Sequence, residues 1–122
     1  MPPYSPPSRE RSGNAYCAKF IQVDGRLFQT GPALELNDLM RHEDFAKLEK
    51  VWYRIIQLRR SGLFNEYDGG FFYVNPKART LSVGGDASTI GVNYVNKEAR
   101  QRSLEMFAEQ TPEYKIRDDT DY

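Results

Sequence analysis

The chain has 122 residues, and its 17 basic and 17 acidic side chains cancel to a net charge of zero. This length suits one domain with a single core, and a neutral chain has no overall field to draw it onto nucleic acid or an anionic membrane. No apolar run approaches the ~20 residues that a membrane span needs. The single cysteine, Cys17, cannot form an internal disulfide, and the N-terminus lacks the apolar core of a secretory signal. We therefore expect an intracellular protein, cytoplasmic or organellar, that neither inserts into a membrane nor binds nucleic acid.

Both ends of the chain differ in composition from its middle. Residues 1–14 (MPPYSPPSRERSGN) are rich in proline and serine, and residues 118–122 (DDTDY) form an acidic tail. Segments of this kind bury too little apolar surface to fold alone and can gain order by binding. We predict that residues 15–117 form one α/β domain and that the N-terminal arm docks on a protein partner in a larger assembly. Aromatic and arginine side chains are common interface anchors. The candidate anchors in the two terminal segments are Tyr4, Arg9, Arg11 and Tyr122.

The domain begins with a predicted hairpin. Residues 15–23 and 26–29 are rich in apolar and β-branched side chains, and Asp24-Gly25 separates them. Asp-Gly is a strong hairpin signal because both central positions of a type I′ turn need positive φ. We therefore expect two antiparallel strands joined by this turn.

A helix is predicted between Asn37 and Gly62. Asn37 can accept from the free N–H groups of a first helical turn, and Gly62 is a suitable left-handed stop after Arg59 and Arg60. A break near Arg41 would give a short turn before the main helix. Apolar residues recur at three- and four-residue steps, as on the buried face of a helix. These residues are Phe45, Leu48, Val51, Trp52, Ile55 and Leu58.

A second hairpin is predicted around the turn at residues 75–78. Pro76 has no N–H to give to a ladder, so the chain must reverse there. The flanking strands, residues 71–74 and 80–83, are rich in β-branched and aromatic side chains. A glycine pair stands outside each strand, Gly69-Gly70 and Gly84-Gly85. Glycine permits positive φ and close backbone approach, so each pair marks a bend or a docking point.

The last third of the chain contributes a helix and a strand. Residues 91–95 are either a short strand or an irregular crossing, Asn96 caps a helix from residue 97 to about 109, and residues 114–117 form a final strand. With the preceding elements, this order predicts an α/β or α+β domain. Helices would cover one mixed sheet of about five to six strands.

Three stretches resemble the Janus/Ocnus family, the phosphohistidine phosphatase-like domains. Residues 111–116 (TPEYKI), with the acidic run and terminal tyrosine behind them, are similar to the family's Tyr-Pro-Asp-Tyr-Glu-Val ending. Residues 68–70 and 84–88 (DGG and GGDAS) are similar to its glycine-rich segment and its phosphate loop. The resemblance covers roughly the last two thirds of the chain. It implies a mixed sheet with one helix on each face.

The resemblance also implies a phosphate site with one histidine at a helix start. The ungapped match to the family's Tyr-His-Ala-Asp places Phe45 at the histidine position, and the one histidine, His42, lies three residues earlier. Phe71 or Phe72 stands where the family has an arginine, and Asp86 brings a carboxylate into the loop. The residues implied to hold phosphate are Gly84, Gly85, Ala87, Ser88 and Thr89.

Three hypotheses about function remain open at this point. One is a Janus-like domain without catalysis that serves as a protein-binding or structural subunit. Another is an active protein histidine phosphatase that uses His42 with the loop at residues 84–89. The third is a small regulatory or inhibitor protein. Alternatively, His42 is a solvated residue in a polar run and the loop is an ordinary strand exit. No cofactor and no metal are expected.

Overall fold

A computed structural model describes residues 14–121 of the protein. One five-stranded sheet has the order β2-β1-β3-β4-β5, so the predicted mixed sheet with helical cover is confirmed. Its strands are β1 (Tyr16–Val23), β2 (Arg26–Gln29), β3 (Tyr67–Asn75), β4 (Thr80–Gly84) and β5 (Lys115–Asp118). The helices are α1 (His42–Leu48), α2 (Trp52–Arg60) and α3 (Lys97–Gln110), with single 3-10 turns at Leu36–Asp38 and Ser88–Ile90.

The sheet is antiparallel except between β4 and β5, which run parallel and are connected through α3. Both predicted hairpin turns are confirmed. Asp24 and Gly25 have φ of 53° and 71°, as a type I′ turn requires. At the other turn, the side-chain oxygen of Asn75 accepts the N–H of Ala78 at 3.2 Å. Turn chemistry therefore sets the register of β1 with β2 and of β3 with β4.

The helix predicted between Asn37 and Gly62 is confirmed in the form with a short turn and a break near Arg41, but Asn37 is not the cap of the main helix. It lies in a 3-10 turn, and α1 starts at His42 without a side-chain cap. A second interruption follows α1, where Lys50 adopts a left-handed φ of 63°. The interruption lets two short helices pack on one face of the sheet. The stop at Gly62 is confirmed by its φ of 71°.

One expectation about the strands needs correction. Gly69 and Gly70 lie inside β3 rather than before it, because the strand extends back to Tyr67. Of the two alternatives for residues 91–95, the irregular crossing is confirmed, since Val92 makes only an isolated bridge with Ala87. This bridge closes a compact loop over β3. A Cβ on Gly69 would lie 2.8 Å from the Ile90 side chain, so glycine permits the close approach.

Two apolar layers enclose the sheet. Helices α1 and α2 pack on one face of β1 and β3, and α3 packs on the opposite face of the same strands. Phe72 lies in the α3 layer while Phe71 points to the other face, as strand alternation requires. The first layer includes Ile21, Phe45, Ile55, Leu58, Tyr67 and Ile90. The second includes Phe20, Phe72, Leu81, Val83 and Phe107.

The first residues of the acidic tail are ordered against the sheet and α3. Asp118 belongs to β5, the N–H of Asp119 bonds the Val83 carbonyl at 2.8 Å, and Thr120 contacts α3. Tyr122 and the arm anchors Tyr4, Arg9 and Arg11 lie outside the described residues. Between residues 14 and 121, no helix has the length and apolar character to cross a membrane.

Candidate functional site

His42 lies at the start of α1, inside the molecule rather than in a solvated polar run. Its side chain is only 5% exposed, and its Nε2 lies 2.7 Å from the carbonyl oxygen of Gly70 on β3. A carbonyl can only accept, so Nε2 carries a proton and the lone pair of the neutral ring is on Nδ1. Phe45, which the ungapped match to the resembled family places at the histidine position, lies one turn further on in the core.

Charges on two strands and one loop act on the imidazole of His42. Burial lowers the pKa of His42 below its ordinary value of 6.5, the Gly70 carbonyl raises it, and Lys19 on β1 lowers it. Asp86 and Asp68 raise the same pKa by smaller amounts. Lys19 was not predicted as a site residue. The sequence contains a signal for this residue. Strand alternation places Lys19 on the same face as Cys17 and Ile21, so a charged side chain occupies an inward-facing position of the strand.

The loop predicted to hold phosphate follows β4 directly. Ala87 donates its N–H to the Val92 carbonyl at 2.9 Å, so this amide is not available to an anion. The Thr89 hydroxyl oxygen accepts the backbone N–H of Glu43 at 3.0 Å, which joins the loop to the start of α1. Gly85 has a left-handed φ of 70°. The fold therefore joins the loop to the start of α1, and part of the loop's hydrogen-bonding capacity is used within the protein.

A groove of about 550 Å³ lies beside this loop. Its lining residues include three aromatic residues, three exposed aspartates and two glycines, namely Phe71, Tyr73, Tyr94, Asp86, Asp119, Asp121, Gly84 and Gly85. His42 is not among its lining residues, and none of its lining residues within 14–121 is Lys or Arg. We call this feature the acidic groove. The sequence analysis identified the loop and the acidic tail as separate segments, but it did not predict that both line one groove.

A buried ion pair lies beneath the groove. Arg100 on α3 is 0% exposed and binds Asp68 on β3 through two hydrogen bonds, of 2.8 and 3.2 Å. The same guanidinium donates to the carbonyl of Gly85 at 3.0 Å and to the hydroxyl of Thr120 at 2.8 Å. Ser103 completes the shell of Asp68 with a bond of 2.8 Å. One arginine thus joins helix, strand, loop and tail.

Within the described part of the chain, no three His, Cys, Asp or Glu side chains are grouped so that they could hold a metal ion. No protein-family model, curated protein or solved structure matches the sequence. The geometry of residues 14–121 and the resemblance of the sequence motifs are therefore the basis for assigning a function.

Proposed function

We propose that this protein is a phosphohistidine phosphatase-like domain without catalysis, which serves as a protein-binding or structural subunit of a larger assembly. The observation that carries the proposal is the position of His42. Its ring is buried, and one of its two nitrogens is occupied by the Gly70 carbonyl at 2.7 Å. A phosphoryl acceptor must reach its substrate, and this ring is not among the residues that line the neighbouring groove.

The charges around the loop give independent support. Phosphoryl transfer requires donors and positive charge where negative charge develops. Here three aspartates are among the residues that line the groove, and no described lysine or arginine is. The nearest buried guanidinium, that of Arg100, is already paired with Asp68. A phosphate dianion entering this space would meet repulsion rather than a cationic clamp.

One observation favours an active protein histidine phosphatase as the second candidate. The Gly70 carbonyl fixes the tautomer of His42, which is how catalytic histidines are commonly oriented, and leaves the Nδ1 lone pair free to act as base or nucleophile. Lys19 is near enough to influence the ring and could contribute positive charge. In this alternative, residues 84–89 would hold the phosphate after a movement that exposes the ring.

The two candidates are separated by turnover of a phosphohistidine peptide. The wild-type chain is compared with His42→Ala and with His42→Asn, which keeps an N–H donor for the Gly70 carbonyl. We expect no release of phosphate above the enzyme-free rate for any of the three. Turnover by the wild type that both substitutions abolish, with folding intact by circular dichroism, would establish the phosphatase and overturn the proposal.

A second experiment tests the partner-binding part of the proposal at the terminal segments. A photo-crosslinking side chain is placed at Tyr4 or, as a control, at Tyr53, which is 85% exposed on α2. We expect a defined cross-linked complex from position 4 that Arg9→Gln with Arg11→Gln reduces. Equal, diffuse cross-linking from both positions would mean that the arm does not dock on a partner.

A further inference from the structure

The acidic groove combines two kinds of surface that recognise the same chemical group. Phe71 and Tyr73 meet edge to face with their ring centroids 5.7 Å apart, and Tyr94 is 95% exposed at the same groove. The electron-rich faces of such rings attract cations. The carboxylates of Asp86 and Asp121 bind no cationic side chain within residues 14–121.

The remaining carboxylate, Asp119, is only weakly neutralised. Its contact with Arg117 is 3.9 Å long, and both side chains are more than half exposed. Exposed pairs of this length contribute little. The groove therefore presents three negative groups beside aromatic walls, and the complementary ligand is an organic cation. A bare metal ion is not favoured, since no described group of three ligating side chains could hold one.

The missing side chain at Gly85 makes room for the aromatic wall of the groove. A Cβ on Gly85 would lie 1.9 Å from the ring of Phe71, so the ring occupies space that only glycine leaves open. Arg100 holds the carbonyl of Gly85 from below at 3.0 Å and the Thr120 hydroxyl at 2.8 Å. The floor and one wall of the groove are thus anchored to the same buried residue.

Two smaller cavities share lining residues with the groove. One, of about 290 Å³, shares Asn93 and Tyr94 with it, and another, of about 320 Å³, shares Tyr73 and Ser82. A free small cation would need only one enclosed pocket. Several cavities with common lining residues suit an extended polypeptide, whose successive side chains can occupy separate pockets.

We propose that the acidic groove binds an arginine side chain carried by an extended segment of a partner protein. Arginine fits better than lysine because its planar guanidinium can stack on a ring and meet a carboxylate through two hydrogen bonds. The inference rests on the proposed protein-binding function and names the chemistry of the partner.

The test is an amide NMR titration of the full 122-residue chain with two blocked heptapeptides. One is Gly-Ser-Ala-Arg-Ala-Ser-Gly, and in the other citrulline replaces arginine, which keeps the shape but removes the charge. We expect the arginine peptide to shift the amide signals of Gly85, Asp86 and Tyr94, to bind about tenfold more tightly than the citrulline peptide, and to weaken as salt is added.

Matched variants locate the site. Asp86→Asn and Tyr94→Ala should each weaken the arginine peptide about fivefold, whereas Asp38→Asn and Tyr53→Ala, exposed residues outside the groove, should leave its affinity unchanged. Equal affinity for the two peptides, shifts elsewhere on the surface, or no binding at millimolar peptide would overturn the inference.

Two further results would also overturn it. Tighter peptide binding after Arg9→Gln with Arg11→Gln would assign the groove to the chain's own N-terminal segment. Stronger shifts with inorganic phosphate than with the arginine peptide would make it an anion site. Neither result depends on turnover, so the phosphohistidine assay above distinguishes a failure of this inference from a failure of the proposed function.

Discussion

Replacement of Arg100 by methionine should cost this protein a large part of its stability. Arg100 and Asp68 are 0% and 1% exposed, and their shortest contact is 2.8 Å. The methionine would fill much of the space but leave the Asp68 carboxylate with only the Ser103 hydroxyl and the Gly69 N–H, at 2.8 and 2.9 Å. It would also remove the bonds to Gly69, Gly85 and Thr120.

Breaking a buried pair by removing one partner costs about 3–5 kcal/mol, because the remaining charge stays in a low-dielectric interior. Domains of this size have a free energy of unfolding of about 5–15 kcal/mol. We therefore expect Arg100→Met to lower the midpoint of thermal unfolding by roughly 10–20 °C. Urea titration followed by circular dichroism gives the free energy directly.

The chain contains a matched control for this measurement. Arg79 and Glu113 also meet at 2.8 Å, but their side chains are 61% and 78% exposed. Arg79→Met should change the free energy of unfolding by about 1 kcal/mol or less. If Arg100→Met proves too unstable to isolate, Arg100→Lys supplies a measurable intermediate loss, since lysine keeps the charge but not the bidentate geometry. Equal effects at positions 79 and 100 would refute the reasoning.

Three further outcomes follow from the described geometry. The pKa of buried His42 is held below its ordinary 6.5, so the unfolded chain takes up a proton more readily than the folded chain. The free energy of unfolding should therefore fall as the pH drops below 6.5. In thermal unfolding measured between about pH 7.5 and 5, His42→Asn should flatten this decline. Gly85→Ala should destabilise the fold by about 1–3 kcal/mol more than Gly25→Ala in urea unfolding, because the two glycines have φ of 70° and 71° but only the Gly85 methyl would strike Phe71. Burial raises the pKa of the Cys17 thiol, which is 1% exposed, so iodoacetamide should alkylate it at least about a hundredfold more slowly in buffer than in denaturant; comparable rates would contradict its burial.

Local chemistry made much of the fold predictable. The Asp24-Gly25 and residue 75–78 turns depend on residues that are adjacent in sequence, and both hairpins form as expected. The cap at Asn96 was predicted for the same reason, and its side chain accepts the N–H of Ala99 at 3.1 Å. Each of these turn and cap motifs lies within four consecutive residues, so it can be recognised without knowledge of the tertiary structure.

The features that could not be predicted from the sequence depend on residues that are distant from each other along the chain. The interruption at Lys50 follows from fitting two short helices onto one sheet face, and nothing in the local pattern of residues 42–60 demands it. Arg100 is an arginine on a charged helix, and its partner Asp68 is 32 residues away. Periodicity gives a partial signal, since Arg100 is next to buried Ala99 and one turn before buried Ser103. Pairing it with Asp68 needed the topology.

The buried Arg100 connects the support of the loop at residues 84–89 with the charge of the acidic groove. Arg100 is the guanidinium closest to the loop backbone, bonding the Gly85 carbonyl at 3.0 Å, yet its charge is neutralised by Asp68. It therefore supports the loop without giving the groove above it a cation. The exposed carboxylates at Asp86, Asp119 and Asp121 then dominate the local field. A surface of this sign attracts cations and repels phosphate, so one arrangement supports both the proposed absence of phosphoryl transfer and the proposed protein partner.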